Sequence, residues 1–204
     1  TVFLSLLTMA ITAALGACVG LVSGFFRNRI DDVLMRICDV MMSFPSEVMI
    51  LAIVGMMGPG LENVVIANVV AKWPWYARMV RSIVRQYSDK DYIRFAKVAG
   101  GSSIRIMMRH LLPGTAGELF VLTTLDTGSV ILMISALSFL GLGVQPPTPE
   151  WVMMLNEAKE VMTMYPLQMI PAGMAILLVV AAFNFLGDSL RDAFDPKHAG
   201  RERS

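Results

Sequence analysis

Acidic side chains, among them Asp126 and Glu47, lie inside apolar stretches that are long enough to cross a membrane. Asp126 stands near the middle of residues 115–143, and Glu47 follows Pro45 in another apolar segment. A carboxylate at the centre of a bilayer costs about 2.5–3.5 kcal/mol on insertion scales, so we expect Asp126 to face a cavity or a partner. Met133 shares its helical face, so the two side chains can line a path for a cation. A polar contact between helices explains Asp126 equally well.

The sequence shows none of the patterns that would indicate an enzyme or a metal site. No nucleophile stands beside a base, no GxxxxGK[ST] phosphate loop is present, and His110 and His198 each lack a second ligand at helical spacing. Cys18 and Cys38 form no CxxC pair, so we expect two free thiols. The 17 methionines are scattered and are more typical of core filling than of a soft-metal path. We expect no catalytic residue, no metal site and no cofactor in this chain.

The composition indicates the kind of scaffold that must position these side chains. The 204 residues are 55% hydrophobic and 16% charged, and the mean hydropathy is +0.62. A soluble domain usually carries about 25% charged residues. A spanning helix needs about 20 apolar residues. Stretches that meet this need predict an all-α membrane protein with five spanning helices, the second bent at Pro45: residues 1–26, 33–57, 61–84, 115–143 and 161–187.

The distribution of basic residues predicts which loops face the cytoplasm. All but two of the 17 lysines and arginines, the exceptions being Lys72 and Lys159, lie on one side of the five spans. Cytoplasmic loops keep an excess of Lys and Arg. We therefore expect residues 86–113 and the C-terminal tail in the cytoplasm and residues 144–165 outside. The outer side carries acidic residues, Glu62, Glu150, Glu157 and Glu160.

Residues 86–113 are basic and are interrupted by glycine. Gly100 and Gly101 break the helical pattern, and Pro113 is expected to end what precedes it and to fit the first turn of the next span. We predict two short helices with basic rims that can dock in a groove on a partner. A solvated loop beside anionic lipid is the alternative, and nucleic-acid binding is disfavoured because the segment has few aromatics. The predicted apolar faces comprise Ile93, Val98, Ile104, Met107 and Met108.

The spacing of five residues in this loop matches a known pattern: Ala96, Gly100, His110, Leu112 and Pro113. The pattern is an alanine, a glycine four residues later, nine further residues, and then an aliphatic residue or histidine before x-Leu-Pro. It resembles the cytoplasmic loop of ABC importer permeases. That loop couples such permeases to their ATPase subunits. The chain departs from the pattern at Arg94 and Phe95, where the family has Glu and Ala.

Further stretches resemble the dipeptide/oligopeptide/nickel branch of these permeases over the whole chain. Two of them, WPWYARMVRS (73–82) and TLDTG (124–128), look most like the nickel-importer members. The family normally has one more helix and an extracytoplasmic segment before the residue that aligns with Thr1, so we expect the natural N-terminus to be missing. The remaining similar stretches are 30–45, 137–158, with Val152 in place of a usual glycine, and 183–196.

The resemblance implies one type I importer transmembrane domain over residues 1–204, with a coupling loop at 86–113 and an extracytoplasmic loop at 144–165. It implies a translocation path to which Asp126, Met133 and Glu47 are assigned. A contact with a binding protein is expected at Gln145, Glu150 and Trp151, and a rigid cap that packs on its own helices is the alternative. The expected ATPase-coupling residues are Tyr92, Ala96, Gly100, Gly101, His110, Leu112 and Pro113.

The resemblance also implies an assembly in a bacterial inner membrane, with the C-terminus in the cytoplasm. The expected partners are a homologous second permease, two ABC ATPase subunits that hold ATP and Mg²⁺, an extracytoplasmic substrate-binding protein and the lipid bilayer. Nickel or a nickel chelate is the expected substrate, with dipeptides or oligopeptides as the alternative. An ion-coupled secondary transporter is a remote alternative, because it would need paired carboxylates in repeated broken helices.

Overall fold

The computed structural model describes residues 1–144 and 150–194, and within these ranges the chain is built from helices and connecting turns. This agrees with the all-α prediction. The elements in chain order are α1 (Val2–Phe26), α2 (Arg29–Met42), α3 (Ser46–Met57), α4 (Leu61–Ser88), α5 (Asp91–Val98), α6 (Ser103–Ile106), a π-helical turn (Met107–Leu111), α7 (Leu112–Phe139), α8 (Trp151–Glu160), a 3-10 turn (Pro166–Gln168) and α9 (Met169–Phe194).

The described helices supply fewer clear membrane spans than the five predicted. Three stretches are long and apolar enough to cross, namely Val2–Phe26, Ser103–Phe139 and Pro166–Phe194. α2 and α3 would make a fourth span if taken together, and they meet at an angle of 80° next to Pro45, as predicted. α4 has the length, at 28 residues, but not the composition, because basic side chains run along its second half.

Pro113 does not end the preceding helix, which corrects the prediction made from the sequence. The helical path runs on from Ser103 to Phe139, with Pro113 in the first turn of α7. A proline lacks an N–H and leaves a carbonyl one turn earlier without its donor. A π-helical turn directly precedes this point, and in it the N–H of Leu112 donates to the carbonyl of Met107, five residues back.

α1 packs against α4 through three glycines spaced one turn apart, Gly16, Gly20 and Gly24. A Cβ atom built on Gly20 would lie 2.6 Å from the carbonyl oxygen of Ala77 and 2.7 Å from the Cβ of Val80. Small residues at such spacing let helix backbones approach closely within a membrane. The glycine stripe therefore fixes α4 against α1 and sets the position of the side chains that α4 carries.

The basic face of α4 is paired with acidic residues of α2. Asp31 is 2% exposed and accepts hydrogen bonds from Arg81, Arg85 and the Ser23 hydroxyl. The Arg81 Nη2 to Asp31 Oδ2 distance is 2.7 Å. A buried charge is tolerated when it is paired and hydrogen-bonded. These arginines therefore hold α2 on α4, a role that the pattern of positive charge alone does not reveal.

Replacing Asp31 with asparagine is expected to lower the apparent melting temperature of the purified protein by roughly 5–10 °C. The amide keeps the shape but leaves Arg81 and Arg85 without their counter-charge, and breaking such a pair costs about 3–5 kcal/mol. Asp32→Asn is the matched control, since the Asp32 side chain is exposed in the same helical turn. Equal melting temperatures for the two variants, measured in detergent, would contradict the assigned role.

Candidate functional site

A cavity of about 410 Å³ lies where the bend between α2 and α3 faces α4 and α7. The bend at Pro45 opens this space, because it turns α3 away from the direction of α2. The cavity combines aromatic and charged walls. The residues that define its chemistry are Phe44, Glu47, Lys72, Trp75, Tyr76 and Asp126.

Asp126 lines this cavity and is also held by a neighbouring helix. Lys72 of α4 places its Nζ atom 2.9 Å from Asp126 Oδ1 and 3.0 Å from Oδ2. The hydroxyl of Tyr76, which is fully buried, donates to Oδ2 at 3.0 Å, and the hydroxyl of Ser129 donates to Oδ1. Ionisable groups within a membrane domain are expected to pair with one another in this way. Both expected settings of Asp126, the cavity and the helix contact, therefore occur together.

The structure brings Glu47 to the same cavity but sets Met133 against the core. Glu47 is exposed in the first turn of α3, and its Oε1 atom accepts a hydrogen bond of 3.0 Å from the Ser46 hydroxyl. Met133 is half-buried and packs against an apolar cluster that includes Val130 and Leu137. A shared path for Asp126 and Met133 thus has less support than one for Asp126 and Glu47.

The charges of the cavity do not form a metal-binding set. Within residues 1–144 and 150–194 no group of three or more His, Cys, Asp or Glu side chains is placed to hold a metal ion. The Lys72 ammonium occupies both oxygens of Asp126. The positive charge of this ammonium opposes the binding of a divalent cation at Asp126. The arrangement can bind polar groups of a passing molecule, and catalysis of a bond-breaking step would need further groups.

The residues assigned to coupling lie together at one end of the molecule. α5 ends at a turn in which the N–H of Gly100 donates to the Lys97 carbonyl at 3.1 Å and the N–H of Gly101 donates to the Ala96 carbonyl at 3.0 Å. Gly100 has φ +79°, a conformation that favours glycine. The Tyr92 and His110 rings approach to 6.4 Å across the turn. The predicted pair of short helices joined at a glycine bend is thus present in the structure.

This end of the molecule has a buried side and an exposed side. Ile93, Ile106 and Leu111 are buried against α1 and α4, and Ala96 and Leu112 pack beside them. Large apolar side chains face outward instead. We call them the apolar patch: Tyr92 at 47% exposed, Phe95 at 72%, Val98 at 86%, Ile104 at 71% and Met108 at 58%.

The membership of the apolar patch corrects part of the sequence prediction. Ile93 was predicted on the apolar docking face but is fully buried, and Met107 is half-buried. Both side chains pack inward because α5 and α6 need an apolar side of their own to rest on α1 and α4. Phe95, which stands out in the sequence only as a departure from the family pattern, is among the most exposed of these residues.

Polar contacts fix α5 and the turn before it to the end of α1. Arg27 Nη1 lies 2.9 Å from Asp89 Oδ1, and this hydrogen bond holds the pKa of the Asp89 carboxyl below its usual range. The Lys97 ammonium lies 4.7 Å from the centre of the Phe25 ring. Pro113 is exposed at the start of α7. α5 is thus anchored to α1, and α6 continues through the π-helical turn into α7.

The residues assigned to a contact with a binding protein are buried or half-buried where the structure describes them. Glu150 is 9% exposed and directly precedes α8. Trp151 is half-buried and packs against a cluster that includes Ile131 and Ile176. Gln145 lies outside the described residues. The burial of Glu150 and Trp151 favours the alternative of a rigid cap at these two positions.

Lys72 and Tyr76 were not identified as site residues from the sequence. They are 54 and 50 residues from Asp126 in the chain, so no local spacing links them. One signal was present, because Lys72 is one of two basic residues that depart from the otherwise one-sided charge distribution. A basic residue in one apolar segment and a carboxylate such as Asp126 in the middle of another suggest an ion pair.

Comparison with known proteins identifies relatives of this chain. The chain is 43% identical over 174 residues to the metal-staphylopine import system permease protein CntC of Staphylococcus aureus (strain Mu50), covering 85% of the chain and 60% of that protein. It is 40% identical over 188 residues to the nickel transport system permease protein NikC of Escherichia coli (strain K12), covering 92% of the chain and 68% of that protein.

A third relative has a different named substrate. The glutathione transport system permease protein GsiD of Escherichia coli O6:K15:H31 is 44% identical over 190 residues, covering 93% of the chain and 63% of that protein. The chain thus spans roughly three fifths to two thirds of the length of these relatives. Residues 16–199 match the family described as binding-protein-dependent transport system inner membrane component, and the chain belongs to this family.

Proposed function

We propose that this chain is a permease subunit of an ATP-driven ABC importer and forms part of its translocation path. The observation that carries the proposal is the apolar patch, which presents large apolar side chains on an element whose other side is anchored to the helices. An amphipathic helical element of this kind fits a groove on a partner protein. Family membership supports the assignment of that partner as an ATPase subunit.

The continuous helix from Ser103 to Phe139 supplies the connection between ATP and the path. It begins beside the apolar patch, passes through the π-helical turn, and carries Asp126 near the middle of α7. Closure of the ATPase subunits would move α5 and α6, and this helix would pass the motion to the cavity. The chain itself performs no catalysis in this proposal, because ATP and Mg²⁺ act in the two ATPase subunits.

The proposed assembly contains a homologous second permease and an extracytoplasmic binding protein in a bacterial inner membrane. The binding protein would dock at residues 144–165, where Gln145 is the candidate contact, and the buried Glu150 and half-buried Trp151 would support this region as part of a rigid cap. The C-terminal tail and residues 86–113 would face the cytoplasm. The charge distribution supports this orientation, since nearly all basic residues lie on that side.

Nickel or a nickel chelate is the proposed substrate, with di- or oligopeptides as the second candidate. The names of two relatives, a metal-staphylopine and a nickel permease, support the first, and the glutathione permease supports the second. An ion-coupled secondary transporter has less support, because the mid-span carboxylate is paired with a lysine and not with a second carboxylate.

The test is the ATPase activity of the reconstituted complex with its own binding protein, titrated with nickel salts, nickel chelates and short peptides. Stimulation by a nickel species alone is expected, and stimulation by peptides alone would move the function to peptide uptake. A complex that fails to bind any ATPase subunit, or that transports along an ion gradient without ATP, would overturn the proposal.

A further inference from the structure

We propose that Lys72 binds the carboxylate of the transported molecule, and that the cavity beside it accepts a zwitterionic organic substrate and not a free metal ion. The inference rests on the proposed function and narrows it, since it separates amino-acid-based chelates and peptides from the bare cation. The residues that carry it are Lys72, Asp126, Glu47 and Trp75.

The Lys72 ammonium can exchange one carboxylate partner for another. It contacts Asp126 at 2.9 and 3.0 Å and the Ser129 hydroxyl at 3.2 Å, and its side chain is 19% exposed at the cavity wall. Asp126 would keep its hydrogen bonds from Tyr76 and Ser129 when Lys72 turns toward a ligand. The charge of Asp126 therefore stays solvated by the protein, and the ammonium becomes available to a ligand carboxylate.

The remaining walls match the other groups of such a molecule. Glu47 lines the same cavity with an exposed carboxylate, which can accept a hydrogen bond from a ligand ammonium. Trp75 is 39% exposed and Phe44 is 61% exposed, so the cavity also offers aromatic surface to apolar parts or to a cationic amine. A ligand with one amine and one carboxylate thus finds a partner for each.

The size of the cavity and its ligand set both argue against the bare cation. A volume of about 410 Å³ lies in the range of pockets that hold small organic molecules. A divalent metal prefers several oxygen, nitrogen or sulfur ligands that converge on one point. In the described part of the chain no such group of three acidic, histidine or cysteine side chains exists, and an ammonium lies beside the mid-span carboxylate.

The experiment measures uptake into proteoliposomes that contain the complete complex and its binding protein. Two matched pairs of probes differ by one carboxylate on each organic ligand: dialanine against dialaninamide, and nickel bis-histidine against nickel bis-histamine. Nickel chloride is the fifth probe. Each is tested with the wild type, Lys72→Met, Lys72→Arg and the double variant Lys72→Met with Asp126→Asn. The binding protein is the same throughout, so a change in preference comes from the permease.

The wild type is expected to prefer the carboxylate-bearing member of a pair and to carry nickel chloride poorly. Lys72→Met is expected to lower uptake of that member by at least about tenfold and to remove the preference, since hydrogen bonds to charged groups are worth more than neutral ones. Lys72→Arg should keep the preference. The double variant leaves no unpaired charge, so a merely structural role of Lys72 predicts recovery, whereas carboxylate binding predicts continued loss.

Two results would overturn the inference while leaving the proposed function intact. One is a wild type that carries nickel chloride at least as fast as either chelate or dipeptide. The other is a double variant that assembles and keeps the wild-type preference between the members of a pair. ATP-independent or absent uptake of all five probes by the wild type would instead overturn the proposed function, and the inference with it.

Discussion

Replacing Gly20 with leucine is expected to leave no folded permease in the membrane. A Cβ atom at this position would lie 2.6 Å from the Ala77 carbonyl oxygen and 2.9 Å from the Arg81 backbone nitrogen. Both neighbours are backbone atoms, so no side-chain rotation can relieve the overlap. Overpacking a core costs about 1–3 kcal/mol when side chains can shift, and we expect a larger loss here. Since native proteins are stable by about 5–15 kcal/mol, α1 and α4 should separate.

The separation would also disrupt the site, because α4 carries Lys72 and Tyr76. The measurement is the yield of monodisperse protein after detergent extraction. Gly55→Leu is the matched control, since Gly55 is exposed in α3 and nothing lies within 4 Å of a Cβ atom there. Recovery of normal amounts of the Gly20 variant, or equal loss of the Gly55 variant, would show that the α1–α4 contact is not the cause.

Local sequence signals predicted the features that depend on neighbouring residues. Pro45 predicts the bend between α2 and α3, and Gly100 with Gly101 predicts the break between α5 and α6, because backbone preference decides both. At Pro113 the same reasoning correctly predicted a position in the first turn of the next span but wrongly predicted an end to the helix before it. The helical path continues there through a π-helical turn, which a residue pattern does not reveal.

The ion pairs between helices could not be predicted from the sequence alone. Asp31 with Arg81, and Asp126 with Lys72, join residues at least 50 positions apart, and their contact depends on which faces of α2, α4 and α7 meet. A basic side chain that the sequence assigns to a charged surface can instead be buried in an ion pair when the helices pack. Gly16, Gly20 and Gly24 gave a usable signal, since a four-residue glycine spacing in an apolar helix predicts close packing.

The sequence predicted apolar faces on α5 and α6, but not which of their side chains pack on the chain itself. A short amphipathic helix has one face that packs on its own protein and one that can meet a partner, and hydrophobicity does not distinguish them. Ile93 and Phe95 are both apolar and two positions apart, yet Ile93 is fully buried and Phe95 is 72% exposed. Position relative to α1 and α4 decides this, because only Ile93 faces the cluster around Leu21 and Val80.

From the proposed coupling role, replacing Phe95 and Val98 together with serine is expected to abolish ATP-driven transport while leaving the chain folded. Both side chains are largely exposed, at 72% and 86%, so their removal costs the isolated chain little stability. Full burial of a large apolar side chain in a partner groove is worth about 1.5–3 kcal/mol. Losing two such contacts at each docking site should weaken ATPase binding by at least about a hundredfold.

The measurement is co-purification of the ATPase subunits with the permease, followed by ATPase activity in proteoliposomes. Met56→Ser is the matched control, since Met56 is 80% exposed at the far end of α3, away from the apolar patch. A double variant that retains its ATPase subunits but loses transport would show that the patch transmits motion and is not needed for ATPase binding. Retention of both would contradict coupling through α5. We expect the double variant to lose both ATPase binding and transport and the Met56 variant to keep both. The reason is that the apolar patch is an exposed surface at the start of the continuous helix that leads to Asp126.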